Sequence, residues 1–230
     1  MGERGELAEL RARTRALEGY VALAAHELRA PATVIHGIAA TLHARPDELA
    51  GDTGATLVEL LHNHTAKLVR LLDQLLDLSR LDAGAIEIEP SVLPVREHVE
   101  QLVEQVAGER ADDVAVVVPR DLRARLDPTA LDRILGNLVT NALRHGAAPV
   151  RVTAQQTDRH FRLEVEDHGE GVPVELRERL FDRFAGGTGE GTGLGLAIAQ
   201  SFAQAHGGAI FYDDGRAGAR FRVVIPAPPP

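Results

Sequence analysis

Residues 21–42, VALAAHELRAPATVIHGIAATL, decide the first half of the fold. Val21, Ala24, Leu28, Pro31, Ile35, Ile38 and Leu42 recur at alternating steps of three and four, the period of a heptad seam. The same frame reaches back through Leu7, Leu10, Thr14 and Leu17, so one long helix is predicted, apolar along its seam except at Thr14. A second seam, Leu57, Leu61, His64, Leu68, Leu71, Leu75 and Leu78, is widened by Leu60, Leu72 and Leu76. Pro46 and Gly51 punctuate the segment between the two, which predicts an antiparallel helical hairpin. Such broad apolar faces exceed what one hairpin covers, so two hairpins are expected to pair as a four-helix bundle in a homodimer.

After Ala83-Gly84 the pattern changes. Strand-like runs at Ile86–Ile88, Val114–Val118, Val150–Thr153, Phe161–Val165, Ala209–Tyr212 and Phe221–Ile225 alternate with helical stretches near 95–106, 128–145, 173–184 and 193–205. The expectation is an α+β chain of two domains. Residues 1–84 form a coiled-coil linker and the hairpin, and residues 85–226 form a mixed α/β domain. The proline-rich end, Pro226 to Pro230, reads as a disordered tail, with the tail proper at 227–230.

Bulk composition narrows the function. Of 230 residues 44% are hydrophobic and only 3% aromatic, so the core must be built from Leu, Val, Ile and Ala. Net charge is -9 and Lys67 is the single lysine, which speaks against a nucleic-acid partner, since phosphate-backbone binding needs a concentrated basic surface. The absence of cysteine excludes disulfides, thiol catalysis and thiolate metal sites. With no long apolar run and a charged start, Met1-Gly2-Glu3-Arg4, the reading is a cytoplasmic protein, or the cytoplasmic part of a membrane-bound sensor whose membrane region would lie upstream.

Four places carry chemistry. His26 falls at position f of the heptad frame, pointing to solvent, with Glu27 beside it; read alone, a solvated helix histidine is the ordinary meaning. Pro31 removes the helix hydrogen bond to the Glu27 carbonyl and is predicted to bend the helix one turn past His26, at a cost of about 3 kcal/mol. Something other than helix stability keeps it there. Asn137 and Asn141, four apart, share a face of the helix that ends in Arg144 and His145. They read as surface or capping amides, or as oxygen ligands for Mg²⁺ at nucleotide phosphates. Asp167-His168-Gly169-Glu170-Gly171 follows a strand and reads either as a plain turn or as a close-approach loop whose carboxylate accepts a hydrogen bond from a flat ligand. Gly191-Thr192-Gly193-Leu194-Gly195-Leu196 opens a helix whose backbone amides can cradle phosphate, although the lysine of a P-loop is missing.

In this order, the strings resemble the histidine kinases of two-component signalling over about residues 15 to 225. Ala25 to Pro31 is similar to that family's H-box, Asn137 to Arg144 to its N-box, Asp167 to Gly171 to its first glycine box, Leu180 to Phe184 to its F-box, and Gly191 to Leu196 to its second glycine box. The resemblance implies a dimerisation and phosphoacceptor hairpin followed by a Bergerat-type ATP-binding domain, an α/β sandwich. It implies His26 as the nucleophile toward the γ-phosphorus of ATP, with Glu27 orienting the imidazole or accepting its proton. It implies Asn141 at Mg²⁺, Asn137 assisting at the phosphates, and Asp167 accepting the adenine amino group. Gly169 and Gly171, Gly191, Thr192, Gly193, Leu194, Gly195 and Leu196, and Arg144 and His145 complete the implied nucleotide set. The phosphoryl group would then pass to an aspartate on the receiver domain of a response regulator. Two places depart from the pattern: Ala30 stands where the family has the Thr or Asn that serves dephosphorylation, and Ala185 to Glu190 is short for an ATP lid and carries no Lys or Arg. The rival reading is a phosphorelay or dimerisation scaffold with a degenerate ATP site.

Overall fold

The computed structural model describes residues 25, 27–44, 52–183, 185, 193–214 and 218–227. The chain divides after Ser79 into two compact units. In the first, helix α1 covers 27–44 and helix α2 runs Asp52–Asp82. Along α1, Leu28, Pro31, Ile35, Ile38 and Leu42 are turned from solvent and every residue between them is exposed, so the heptad frame names the covered face residue by residue. The helix passes through Pro31 without interruption. The earlier part of the seam, His26 and the connection at 45–51 lie outside the described residues.

On α2 the seam positions are half-buried or, at Leu71 and Leu78, buried. Beside that seam runs a second stripe, Val58, Val69, Leu72 and Leu76, each between 46% and 57% exposed. Their spacing places all four on one line of the helix surface.

The second unit is a two-layer sandwich. Its five-stranded sheet has the order β2 (Val114–Val117), β4 (Val150–Gln156), β5 (His160–Glu166), β7 (Ala219–Pro226) and β6 (Ala209–Asp214). β2 is parallel to β4 and the remaining pairs are antiparallel. Val150, Val152 and Ala154, with Phe161, Leu163 and Val165 and with Phe221, Val223 and Ile225, form the buried face by simple alternation. Helices α3 (Val95–Ala107), α4 (Pro128–His145) and α6 (Gly195–Ala205) supply the matching apolar stripes, with Ile134, Leu135, Leu138 and Ile198 fully buried. The outward face of the sheet is a ladder of charges, with Arg220 on Glu166 and Arg222 on Asp213, each at 2.8 Å.

Asp127 is the knot that holds α4 in place. Its Oδ1 accepts the Ala130 amide at 2.8 Å, capping the helix, and Pro128 follows at the first turn. Oδ2 accepts the Glu89 amide at 2.7 Å, and the Asp127 amide donates to His206 Nε2 at 2.9 Å. One buried residue thus joins the segment after α2, the start of α4 and the end of α6.

The structure differs from the sequence reading at four places. Ile86–Ile88 is not a strand; strand β1 is Ser91–Pro94, because its partner β3, Arg123–Leu126, lies opposite that stretch and the Glu89 amide is spent on Asp127. The helix expected over 173–184 is one turn, α5 (Val174–Arg177), followed by tight turns in which Leu180 and Asp182 donate three residues back. α6 begins at Gly195 rather than 193, since Gly193 sits at φ 63. At the proline-rich end, Pro226 pairs with His160 and the Ala227 amide donates to Arg159, so pairing continues to Ala227.

Asp127→Ala strands two amides, and chemical denaturation is expected to read a loss on the order of 2 kcal/mol. Burial, opposed by the weaker pull of the Asp127 carboxylate, lowers the His206 pKa from 6.5. The neutral ring is therefore favoured in the folded state; its contribution is complete above 6.5 and fades as the pH falls through the lowered value. Unfolding free energy should drop between about pH 7.5 and about pH 5 more for the wild type than for His206→Gln, whose amide oxygen accepts at every pH.

Candidate functional site

The ends of α4, β5 and β7 meet around one side chain. Asp167, the first residue past β5, is 4% exposed. Its Oδ1 accepts the Gly169 amide at 2.8 Å and the Ala219 amide at 3.3 Å, and its own amide donates to the Ala219 carbonyl at 3.0 Å. Among the described residues nothing donates to Oδ2. Oδ2 is thereby left available to accept a hydrogen bond from a ligand.

Space around that carboxylate comes from glycine. A Cβ on Gly146 would lie 2.3 Å from Asp167 Cγ, one on Gly218 would lie 2.6 Å from Oδ1, and one on Gly169 would lie 2.8 Å from the Gly146 Cα. Gly171 takes φ 77, a conformation that side chains disfavour. The loop of His168 is sewn to the loop after α4: its amide donates to the Ala147 carbonyl at 2.9 Å and its Nδ1 meets the Pro149 carbonyl at 2.7 Å, so that nitrogen carries the proton.

On α4, Asn137 Nδ2 donates to the Arg133 carbonyl at 2.6 Å, and its Oδ1 lies 2.9 Å from where a Gly195 Cβ would stand. A side chain on the first residue of α6 would therefore push the Asn137 amide out of its place. The Asn141 amide is half-buried and makes no hydrogen bond among the described residues. Its oxygen is of the kind Mg²⁺ accepts. Arg144 and His145 end the helix; desolvation first, then the Arg144 charge, lowers the His145 pKa and favours the neutral ring. Leu194 is 2% exposed and Leu196 half-buried. Glu27 is half-buried on α1, whereas Gly191, Thr192 and His26 lie outside the described residues.

The structure thus brings together Asp167 and Gly169 at the carboxylate, and Asn137 with Gly195 between two helices. Sequence reasoning missed Gly146 and Gly218. Gly146 is visible as the glycine that ends a helix, but nothing in the sequence says that Asp167 packs against it.

Residues 126–229 match the family described as histidine kinase-, DNA gyrase B-, and HSP90-like ATPase, and residues 16–84 match the His Kinase A (phospho-acceptor) domain. The signal transduction histidine-protein kinase AfsQ2 of Streptomyces coelicolor is 33% identical over 97% of this chain. The chain belongs to the sensor histidine kinases of two-component systems. It spans 44% of AfsQ2 and less than half of the other curated relatives compared, among them DivJ of Caulobacter vibrioides, 34% identical over 91% of this chain and 37% of its own length. Among solved structures, full-length ShkA in complex with AMPPNP superposes with a TM-score of 0.64 at 28% identity, covering 91% of this chain and 46% of ShkA. The histidine kinase ThkA in complex with the response regulator TrrA gives 0.61 at 26%, covering 98% and 66%. The histidine-kinase type of ATPase domain implies ATP binding. Among the described residues no helix is long and apolar enough to cross a membrane.

Gly218→Ala drives a methyl group into Asp167 and is expected to abolish ADP binding and lower the melting temperature by several degrees. Gly37→Ala, on α1 with nothing within 4 Å of the new methyl, is the matched control. It should stabilise by about 0.5–1 kcal/mol, read by thermal and urea unfolding.

Proposed function

We propose that this chain is an ATP-dependent protein-histidine kinase that phosphorylates its own His26. The observation that carries the proposal is the buried Asp167 carboxylate, with Oδ1 spent on backbone amides and the side chain packed so closely by Gly146, Gly169 and Gly218 that its place is fixed. A carboxylate so placed suits the adenine amino group, which donates hydrogen bonds and carries no charge.

An imidazole nitrogen of His26 attacks the γ-phosphorus in line as the bond to the β-phosphate oxygen breaks, so ADP leaves and phosphohistidine remains. Glu27 orients the ring and takes up the proton that the attacking nitrogen releases. Asn141, with Asn137 beside it, holds Mg²⁺, which neutralises phosphate charge when bound. Gly193 and Gly195, with Gly191, Thr192, Leu194 and Leu196, leave room for phosphates at the start of α6, and Arg144 and His145 face them from the end of α4. Gly171 gives the adenine-side loop its turn. Little covalent work falls to the rest of the protein; positioning is what it supplies.

The phosphoryl group then passes to an aspartate on a response-regulator receiver domain, a partner of the kind solved with ThkA. The exposed stripe Val58, Val69, Leu72 and Leu76 supports a homodimer whose second hairpin covers it. Residues 1–84 serve dimerisation and phosphotransfer, and residues 85–226 serve ATP binding, in a cytoplasmic kinase portion that joins the membrane only through a sensor region elsewhere. A degenerate scaffold is the weaker reading, since the sequence keeps Asp167, Asn137, Asn141 and the glycine box.

The test is incubation with γ-labelled ATP and Mg²⁺ beside His26→Gln and Asn141→Ala. Acid-labile, alkali-stable label is expected on the wild type alone, at a level at least a hundredfold above either variant. Equal labelling of His26→Gln would move the acceptor elsewhere.

A further inference from the structure

The loop that begins at Asp167 is held at its far end by three side chains that no glycine or asparagine box includes. Both polar groups of the Val172 residue are taken by side chains: its amide donates to Tyr212 Oη at 3.2 Å, and its carbonyl accepts Arg177 Nε at 2.9 Å. Tyr212 Oη in turn donates to Asp214 Oδ1 at 2.8 Å. Arg177 pairs with the same carboxylate through both terminal nitrogens, Nη1 to Oδ2 at 2.9 Å and Nη2 to Oδ1 at 2.8 Å. Its guanidinium also lies over the Tyr212 ring, 5.6 Å from the centroid.

The ring of contacts closes on one residue of loop backbone. Tyr212 and Asp214 belong to β6, which pairs with β7, the strand whose Ala219 holds Asp167 at the loop's other end. The loop is therefore pinned twice to one hairpin, before Gly169 and after Gly171. A Cβ on Gly171 would stand 3.5 Å from Tyr212 Oη, so the hydroxyl also lies against the loop's turning residue. Burial first among several causes raises the Tyr212 pKa, which keeps the hydroxyl protonated and able to donate to Asp214 while it accepts from Val172.

We propose that Tyr212 is a positioning residue for the nucleotide, fixing through Val172 the loop that carries Asp167, Gly169 and Gly171. The proposal rests on the ATP-binding reading of that loop and adds how the loop is held ready for its ligand. A loop held in its binding conformation before the ligand arrives binds more tightly, because the fraction of competent molecules divides the dissociation constant.

Tyr212→Phe in the full chain keeps the ring under Arg177 and removes only the hydroxyl. Titration calorimetry with ADP and labelling rates across ATP concentration are expected to show Kd and KM raised about 3- to 10-fold, the range of one or two lost hydrogen bonds. The labelling rate at saturating ATP should stay within about twofold of wild type, so that excess ATP rescues the variant. Asp214→Asn, which keeps an acceptor for Tyr212 and weakens only the hold on Arg177, should shift Kd less. Unchanged ADP affinity in Tyr212→Phe, or a fall in saturating rate at unchanged KM, overturns the role of Tyr212 and leaves the kinase reading standing. A wild type that binds no nucleotide overturns both.

Discussion

A single buried carboxylate governs the second unit. Asp167 stands where the sheet ends and the helices begin, and its Oδ1 is bound by amides from its own loop and from β7. Those contacts require backbone within the radius of a side chain, which is why Gly146, Gly169 and Gly218 surround it. Any methyl group at Gly146 or Gly218 would overlap an Asp167 atom, so the carboxylate and its glycines act as one part.

The rest of the unit serves to bring helix ends to that point. Asp127 caps α4 and so sets where Asn137 and Asn141 fall, one turn apart, with Asn137 against Gly195 of α6. The same residue receives the Glu89 amide, which ties the segment leaving the helical unit to the start of the helix that carries the asparagines. His206 closes the knot from α6. A fault at Asp127 would therefore be felt at both asparagines as well as in stability.

Much of this was legible in the sequence, and the residues show why. The seam through Leu28, Pro31, Ile35, Ile38 and Leu42 is a strict period with one covered face, and burial follows it from Leu28 to Leu42. α4 begins at an Asp-Pro pair and ends before a glycine, so its limits could be read directly. Ile86–Ile88 misled because a three-residue alternation says nothing about a partner strand, and the pairing β1–β3 depends on Arg123–Leu126, whose alternation of exposed arginines with buried Ala124 and Leu126 is only four residues long. The helix over 173–184 failed for a tertiary reason: Arg177 turns back to the Val172 carbonyl and across to Asp214, and the chain beyond it runs in turns. At the site, the types of Asn137, Asn141 and Asp167 were readable, whereas Gly146, Gly218 and Tyr212 belong to it only through contacts between distant elements.

The measurement that bears most directly on Asp167 is ADP titration of the wild type and Asp167→Asn, with melting temperature recorded for both. Asparagine keeps an oxygen for the Gly169 and Ala219 amides and replaces the open acceptor by a donor, so the fold should hold while the ligand meets a like group. Affinity at least tenfold weaker, with melting temperature changed by only a few degrees, is the expected result. Equal affinity in the two proteins would contradict the assignment of Asp167 as the adenine acceptor.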